Sequence, residues 1–299
     1  MFANAIETVG NFTRPIKFII RNYKEPNIIP GTATLFFVND EGYALTCKHV
    51  AEEFIRADAI NQNFAAFKEE LSRTPRDTRY NSTVKKLELK HKLKSGSIAQ
   101  MKLQFPGCVN RFNEIDVTIH PDYDLAFIHF KGYENLLYKG HAVFPKDSSK
   151  IRPGDMLCRL GFPFPEFSDF HYDQARDDIC WNTTGKSATP RFPIDGMFTR
   201  HLGDSSTGKI TGIELSTPGL KGQSGGPLFD ANGIIYGIQS RTNHLHLGFD
   251  MVGEKMLING RESTINNQPF LHVGRCVHVD IIKEFLDKHG VKYYTDDEI

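Results

Sequence analysis

Cysteine is scarce in this chain, and the little there is forms no framework. Its five cysteines, Cys47, Cys108, Cys158, Cys180 and Cys276, are scattered, odd in number and without CxxC spacing. That excludes a disulfide-stapled scaffold and a zinc finger, and it leads us to expect reduced thiols in a cytoplasmic setting. Net charge is missing too. Lys+Arg 36 against Asp+Glu 36 gives +0, so nothing in the whole-chain charge calls for nucleic acid or an anionic membrane as partner, and neither is expected. No apolar run is long enough to span a bilayer, and Glu7 with Arg14-Pro15-Ile16-Lys17 breaks any secretory core near the start. Without an export signal, the N-x-S/T triplets beginning at Asn11, Asn81 and Asn182 read as chance. What remains is 39% hydrophobic and 24% charged residues over 299 positions, the usual mix of a folded enzyme of one large or two modest domains.

The chemistry starts at Gly222-Gln223-Ser224-Gly225-Gly226-Pro227. A serine hydroxyl needs a base to take its proton and donors to meet the oxyanion formed on attack. Glycine's freedom lets the N–H groups of Gly222 and Ser224 aim at one developing charge. The same hexapeptide also suits a plain hairpin turn. Upstream, Gly31 to Val38 reads as a strand, Asn39 to Gly42 as a turn and Tyr43 to Thr46 as the hairpin partner, with His49 close behind. Asp124 stands at the mouth of the apolar strand Leu125 to Phe130. The order His, Asp, Ser is one of those in which a serine-histidine-aspartate triad is assembled. Asp122 is the competing acid.

Four segments, Thr46-Cys-Lys-His-Val50, Asp124-Leu-Ala-Phe127, Arg152-Pro-Gly-Asp-Met-Leu157 with Leu160-Gly-Phe-Pro163, and Gly222 to Pro227, together resemble the trypsin/chymotrypsin-fold serine proteases, and within them the HtrA-like branch. The resemblance covers about Gly31 to Thr242. It implies an all-β fold of two six-stranded antiparallel barrels. The first, over 1–140, would carry His49, Asp124 and an insertion at about 51–102; the second, over 141–299, would carry Ser224 and end in a helix at about 280–289. By the family's roles His49 is general base, Asp124 its orienting acid, Ser224 the nucleophile, and Gly222 with Ser224 the oxyanion hole. Pro218, Leu220, Gln239, Ser240 and Arg241 fall on the substrate-binding segments. Pro218 sits where an Arg/Lys-selective relative carries an aspartate, so cleavage after basic residues is not implied. Gln223 replaces the aspartate that pairs with a freed N-terminus in zymogens, so no such activation switch is expected. After the terminal helix, the peptide-binding module that many HtrA-like proteins carry is not expected.

In the insertion, Phe54, Ile55, Phe64, Phe67 and Leu71 recur at near-helical intervals, while Val84 to Lys94 alternates apolar and basic residues as a β-hairpin with a wet face would. Gly161 to Gly208 reads as an irregular connection in which Phe162, Phe164, Phe167, Phe170 and Trp181 pack on the second barrel. Asp280 is the expected N-cap of the last helix and Gly290 its stop. His244, His246, His272, Cys276 and His278 lack finger spacing, so no metal and no cofactor is expected. The function expected is a serine endopeptidase acting on a restricted protein or peptide substrate, with a regulatory protein as a further partner. The competing class is a protease-fold scaffold that binds peptide and hydrolyses little.

Overall fold

Apolar-rich strands between Thr13 and Lys131 build a six-stranded antiparallel sheet. The computed structural model describes residues 1–204, 207–258, 260–267 and 270–298. The strands are β1 (Thr13–Asn22), β2 (Ile28–Phe37), β3 (Tyr43–Thr46), β4 (Ile98–Gln104), β5 (Glu114–Ile119) and β6 (Ala126–Lys131), in the order β4-β1-β2-β3-β6-β5. The turn between β2 and β3 forms because the Asn39 side chain accepts from the N–H groups of Glu41 and Tyr43 and because Gly42 takes φ +83.

The second half closes into a six-stranded barrel of β7 (Met156–Gly161), β8 (Phe192–Gly203), β9 (Ile210–Leu215), β10 (Pro227–Phe229), β11 (Ile235–His246) and β12 (Phe270–His278), paired β7-β8-β9-β12-β11-β10. The expected pair of closed barrels is therefore realised in this half alone. Helix α1 (Ala3–Gly10) leads into β1; among the described residues the first-half edges β4 and β5 do not pair, and helix α2 (Lys48–Ser72) packs on both. A helix satisfies its own backbone groups, so it covers the gap with side chains and adds no rung to the ladder. One cluster of buried residues runs through both halves, joining Leu35, Phe37 and Ile128 to Leu160, Phe229 and Ile238. The cleft between the halves rests on a shared core.

The insertion is helical over Lys48–Ser72 and Tyr80–Lys90 before it enters β4, which corrects the hairpin expected at Val84 to Lys94. Helix α3 (Tyr80–Lys90) has its Leu87 packed beside Phe64 and Phe67 of α2, while Leu89 is 79% exposed. The alternation of leucine and lysine imitated a strand, but Leu87 and buried His91 lie one helical turn apart and face the same neighbours. Ile55, counted with the apolar face of α2, points outward.

The connection after β7 also differs from expectation. It holds a hairpin, Phe170–Asp173 with Asp178–Trp181, and Phe167, Phe170 and Trp181 pack on Ile19 and Ile28 of the first sheet, not on the second barrel. Lys17 of β1 pins it from below, 3.1 Å from Asp169 and 4.5 Å from the Phe167 ring centre, with both charged side chains out of water. Removing one partner of such a pair strands the other charge. Lys17→Met is therefore expected to cost about 3–5 kcal/mol, and adding Asp169→Leu to recover most of it; urea denaturation of the two variants checks this.

Helix α4 (Val279–Lys288) closes the chain, with Ile281, Ile282, Phe285 and Leu286 buried on one stripe. Its cap is His278, two residues before the expected Asp280: the His278 Nδ1 accepts from the Asp280 N–H at 3.2 Å. Gly290 at φ +65 follows the helix end. Burial drives the His278 pKa down to about 4. The unfolded chain then binds a proton near pH 6.5 that the folded chain refuses. Stability falls as pH drops from about 6.5 towards 4, by up to about 3 kcal/mol. His278→Asn keeps a capping acceptor and does not titrate, so the gap in urea midpoint between pH 7.5 and pH 4.5 is expected to shrink in that variant.

Candidate active site

Three elements converge on the cleft. The strand β3 ends at Thr46, Cys47 is extended, and α2 starts at once, so His49 stands in the first turn of a helix. Asp124 precedes β6, which pairs with β3, and this brings the acid to the helix N-terminus. Its Oδ1 accepts from the His49 N–H at 3.1 Å and from His49 Nδ1 at 2.9 Å; Oδ2 lies 3.0 Å from the same ring nitrogen. The carboxylate thus fixes the ring and occupies the positive end of a helix in one arrangement. Asp122 has no contact with His49 among the described residues; its N–H donates to His120.

Ser240 holds the other side of Asp124, its hydroxyl donating to Oδ2 at 2.5 Å. Sequence reasoning placed Ser240 with the substrate, and only the fold reveals the bond to Asp124. Burial raises the Asp124 pKa, but hydrogen bonds from His49 and Ser240 outweigh it and leave the group below the usual carboxylate range. The hydrogen bond to Asp124 raises the His49 pKa above 6.5, against the opposing effect of burial. Buried Cys47 lies beside the pair and donates to the Gln239 carbonyl at 3.0 Å. Cys47, His49 and Asp124 lie close enough to share an ion. Burial, however, pushes the thiol far above its ordinary pKa, so the thiolate a metal needs is disfavoured.

Ser224 sits in the tight turn before β10. Gly222 has φ +95 and Gly225 φ +86, conformations that favour glycine. A Cβ on Gly222 would lie 2.7 Å from the Phe162 carbonyl oxygen. The turn is held from outside by Thr34, whose hydroxyl donates to the Gly222 carbonyl at 2.8 Å and accepts from the Phe162 N–H at 3.2 Å. It is held from inside by buried Gln223, which accepts from the Leu220 N–H at 2.9 Å and donates to the Phe192 carbonyl at 3.0 Å. With these restraints in place, the N–H groups of Gly222 and Ser224 have no acceptor among the described residues. Nothing in the sequence pointed to Thr34 beyond its place in an expected strand.

His49 and Ser224 line the same cavity of about 330 Å³, but they are not hydrogen-bonded to each other. The Ser224 hydroxyl donates to the Ser240 carbonyl at 3.4 Å. A second cavity, of about 550 Å³, opens on the other side of the same two residues and is lined by Pro218, Leu220, Gln239, Ser240 and Arg241. Catalytic hydrogen bonds are often long until substrate excludes water. The arrangement offers a base with a fixed tautomer, a serine beside it and two free donors.

A family model described as a trypsin-like peptidase domain matches residues 31–238. Among solved structures, HtrA-type protease AlgW with tripeptide is similar at 15% identity and TM-score 0.47, over 97% of this chain and 65% of that one. An AlgW variant with decapeptide gives 14% identity and TM-score 0.47, over 97% and 68%, and a variant with tripeptide 15% and 0.48, over 96% and 62%. The chain spans about three fifths of the length of that last structure. No curated protein sequence matches.

Proposed function

Because the chain belongs to the family of trypsin-like peptidase domains, we propose that it is a serine endopeptidase that cleaves a protein or peptide through Ser224, His49 and Asp124. The observation that carries this is the pairing of a two-point Asp124 to His49 contact with two unclaimed N–H groups at Gly222 and Ser224. A turn serine and a core histidine have no use for that combination. Ser224 Oγ attacks the scissile carbonyl carbon, and its proton passes to His49 Nε2. The carbonyl oxygen takes the negative charge and receives the Gly222 and Ser224 N–H groups. Collapse expels the amine, which takes the proton from His49, and leaves an acyl-Ser224 ester that water opens by the same route. Asp124 stabilises the imidazolium in both halves and stays ionised.

A reducing compartment fits this reading, since all five cysteines are free. Among the described residues no helix is long and apolar enough to cross a membrane. The second reading, a peptide-binding scaffold with little hydrolysis, draws on one feature: the Ser224 hydroxyl donates to the Ser240 carbonyl and not to His49. Intact-mass labelling of the full chain with a fluorophosphonate separates the two. One adduct, mapped to Ser224, is the expected result; folded protein that takes up none favours the scaffold.

A further inference from the structure

Among the described residues three cations are almost wholly buried: Lys17, Arg21 and Arg159. Two of them sit against a carboxylate, Lys17 at 3.1 Å from Asp169 and Arg21 at 2.7 Å from Asp177. Arg159, on β7 and 0% exposed, has none. Its Nη1 donates to Gln239 Oε1 at 2.8 Å, and its Nη2 donates to the Thr217 hydroxyl at 2.6 Å and to the carbonyls of Thr217 and Pro218 at 3.1 and 3.2 Å. Its Nε has no acceptor. Exposed Asp195 acts on it only at longer range, without an ion pair. A guanidinium removed from water and matched only to neutral oxygens is an unusual expense for a fold, since buried charges are ordinarily paired.

The place of that charge gives it a use. Thr217 and Pro218 lead into the Ser224 turn, and Pro218 and Gln239 line the cavity of about 550 Å³ beside Ser224. Arginine only donates, so the contact sets which end of the Gln239 amide faces which way: Oε1 to the guanidinium, Nε2 against Gly219 of the cavity lining. One hydrogen on Nε2 goes to the Arg241 carbonyl at 3.2 Å, and the other has no acceptor among the described residues. The amide lies against Gly219, and its Nε2 is 2.3 Å from where a Cβ on that glycine would sit, so any other residue there would fill the space the amide occupies. No aspartate or glutamate lines this cavity among the described residues, whereas Lys221 and Arg241 do, together with His244 and His272.

We propose that this cavity receives an acidic side chain, so that the peptidase cleaves after glutamate or aspartate, with the Gln239 amide as the group that touches the carboxylate and Arg159 as the positioning cation behind it. This rests on the peptidase reading above and names its substrate class. The substrate carboxylate, on the far side of the Gln239 amide, sets a counter-charge opposite the buried Arg159. Electrostatic focusing by the buried charge, with Lys221 and Arg241 at the rim, favours an anion over its neutral isostere.

The test is a pair of peptidyl diphenyl phosphonates, identical except for glutamate or glutamine at the reacting residue, with labelling of Ser224 followed by intact mass. In the wild-type chain the glutamate reagent is expected to react about tenfold faster or more, a difference of about 1.4 kcal/mol. Arg159→Met can fail to fold, so Gln239→Glu is the informative variant: it gives Arg159 an internal carboxylate of the same shape as the amide, and the glutamate-to-glutamine ratio is expected to fall to one or below. Equal rates in the wild type, or a ratio that Gln239→Glu leaves as it was, overturn the acidic specificity. With a fluorophosphonate adduct present on Ser224, that outcome leaves the peptidase reading intact. No adduct from any of the three reagents on folded protein removes both.

Discussion

Asn in place of Asp124 is expected to slow acylation of Ser224 by about 10⁴-fold, against a floor set by Ser224→Ala, which has no hydroxyl to acylate. The reason is tautomeric. Asp124 accepts from His49 Nδ1 at 2.9 Å, which leaves the lone pair on Nε2, the nitrogen that must take the serine proton. An asparagine amide at the same place, held by the same Ser240 hydroxyl through its oxygen, turns its NH₂ towards His49 and donates to Nδ1, giving up the bond that Oδ1 accepts from the His49 backbone N–H. The ring proton then moves to Nε2 and the base is lost. Asp122→Asn is expected to stay within about twofold of wild type, since surface changes away from such contacts have small effects.

The pH profile carries the same information with a sign. His49 works as a base only when neutral, and its hydrogen bond to Asp124 raises its pKa above 6.5, with burial opposing. Labelling by a fluorophosphonate should therefore climb with pH through a midpoint above 6.5. In Asp124→Asn the stabilising carboxylate is gone, and the midpoint is expected to move down while the plateau collapses. A plateau loss with an unmoved midpoint would mean that Asp124 acts on the fold and not on the base.

How far the sequence carried can be judged at particular residues. Asp124 stood out because a run of apolar β residues follows it immediately, and that strand pairs with the one that delivers His49. The expectation of a closed barrel in the first half departs from the fold where α2 runs on to Ser72 and lies over both sheet edges; strand spacing gives no sign of which edges remain open. The hairpin expected at Val84 to Lys94 erred because Leu87 and Leu89 fit period two as well as they fit a helix with one exposed leucine. Outside the His49, Asp124 and Ser224 constellation, contacts between residues distant in sequence were silent. Ser240 and Asp124 are 116 positions apart, and Thr34 and Gly222 188. No local pattern encodes such pairs, because each is a by-product of how two sheets pack on a shared core.

The Thr34 contact leads to the other large effect, at the oxyanion site. Gly222→Ala is expected to lower kcat for a peptide ester by about 10² to 10³-fold, the loss that follows when one oxyanion donor is removed. The backbone there has φ +95, where a Cβ is strained, and that Cβ would press on the Phe162 carbonyl and on the Thr32 hydroxyl, each 2.7 Å away. The peptide must rotate to relieve this, and the Gly222 N–H turns with it. KM is expected to change little, because the lost bond forms to the oxyanion and not to the ground-state carbonyl. Thr34→Val offers a milder version of the same displacement: it keeps the shape of the side chain but removes the hydroxyl that accepts from Phe162 and donates to the Gly222 carbonyl. If Gly222→Ala raised KM and spared kcat, the unclaimed N–H groups would be substrate-docking donors, and the case for a preformed oxyanion hole would fall with them.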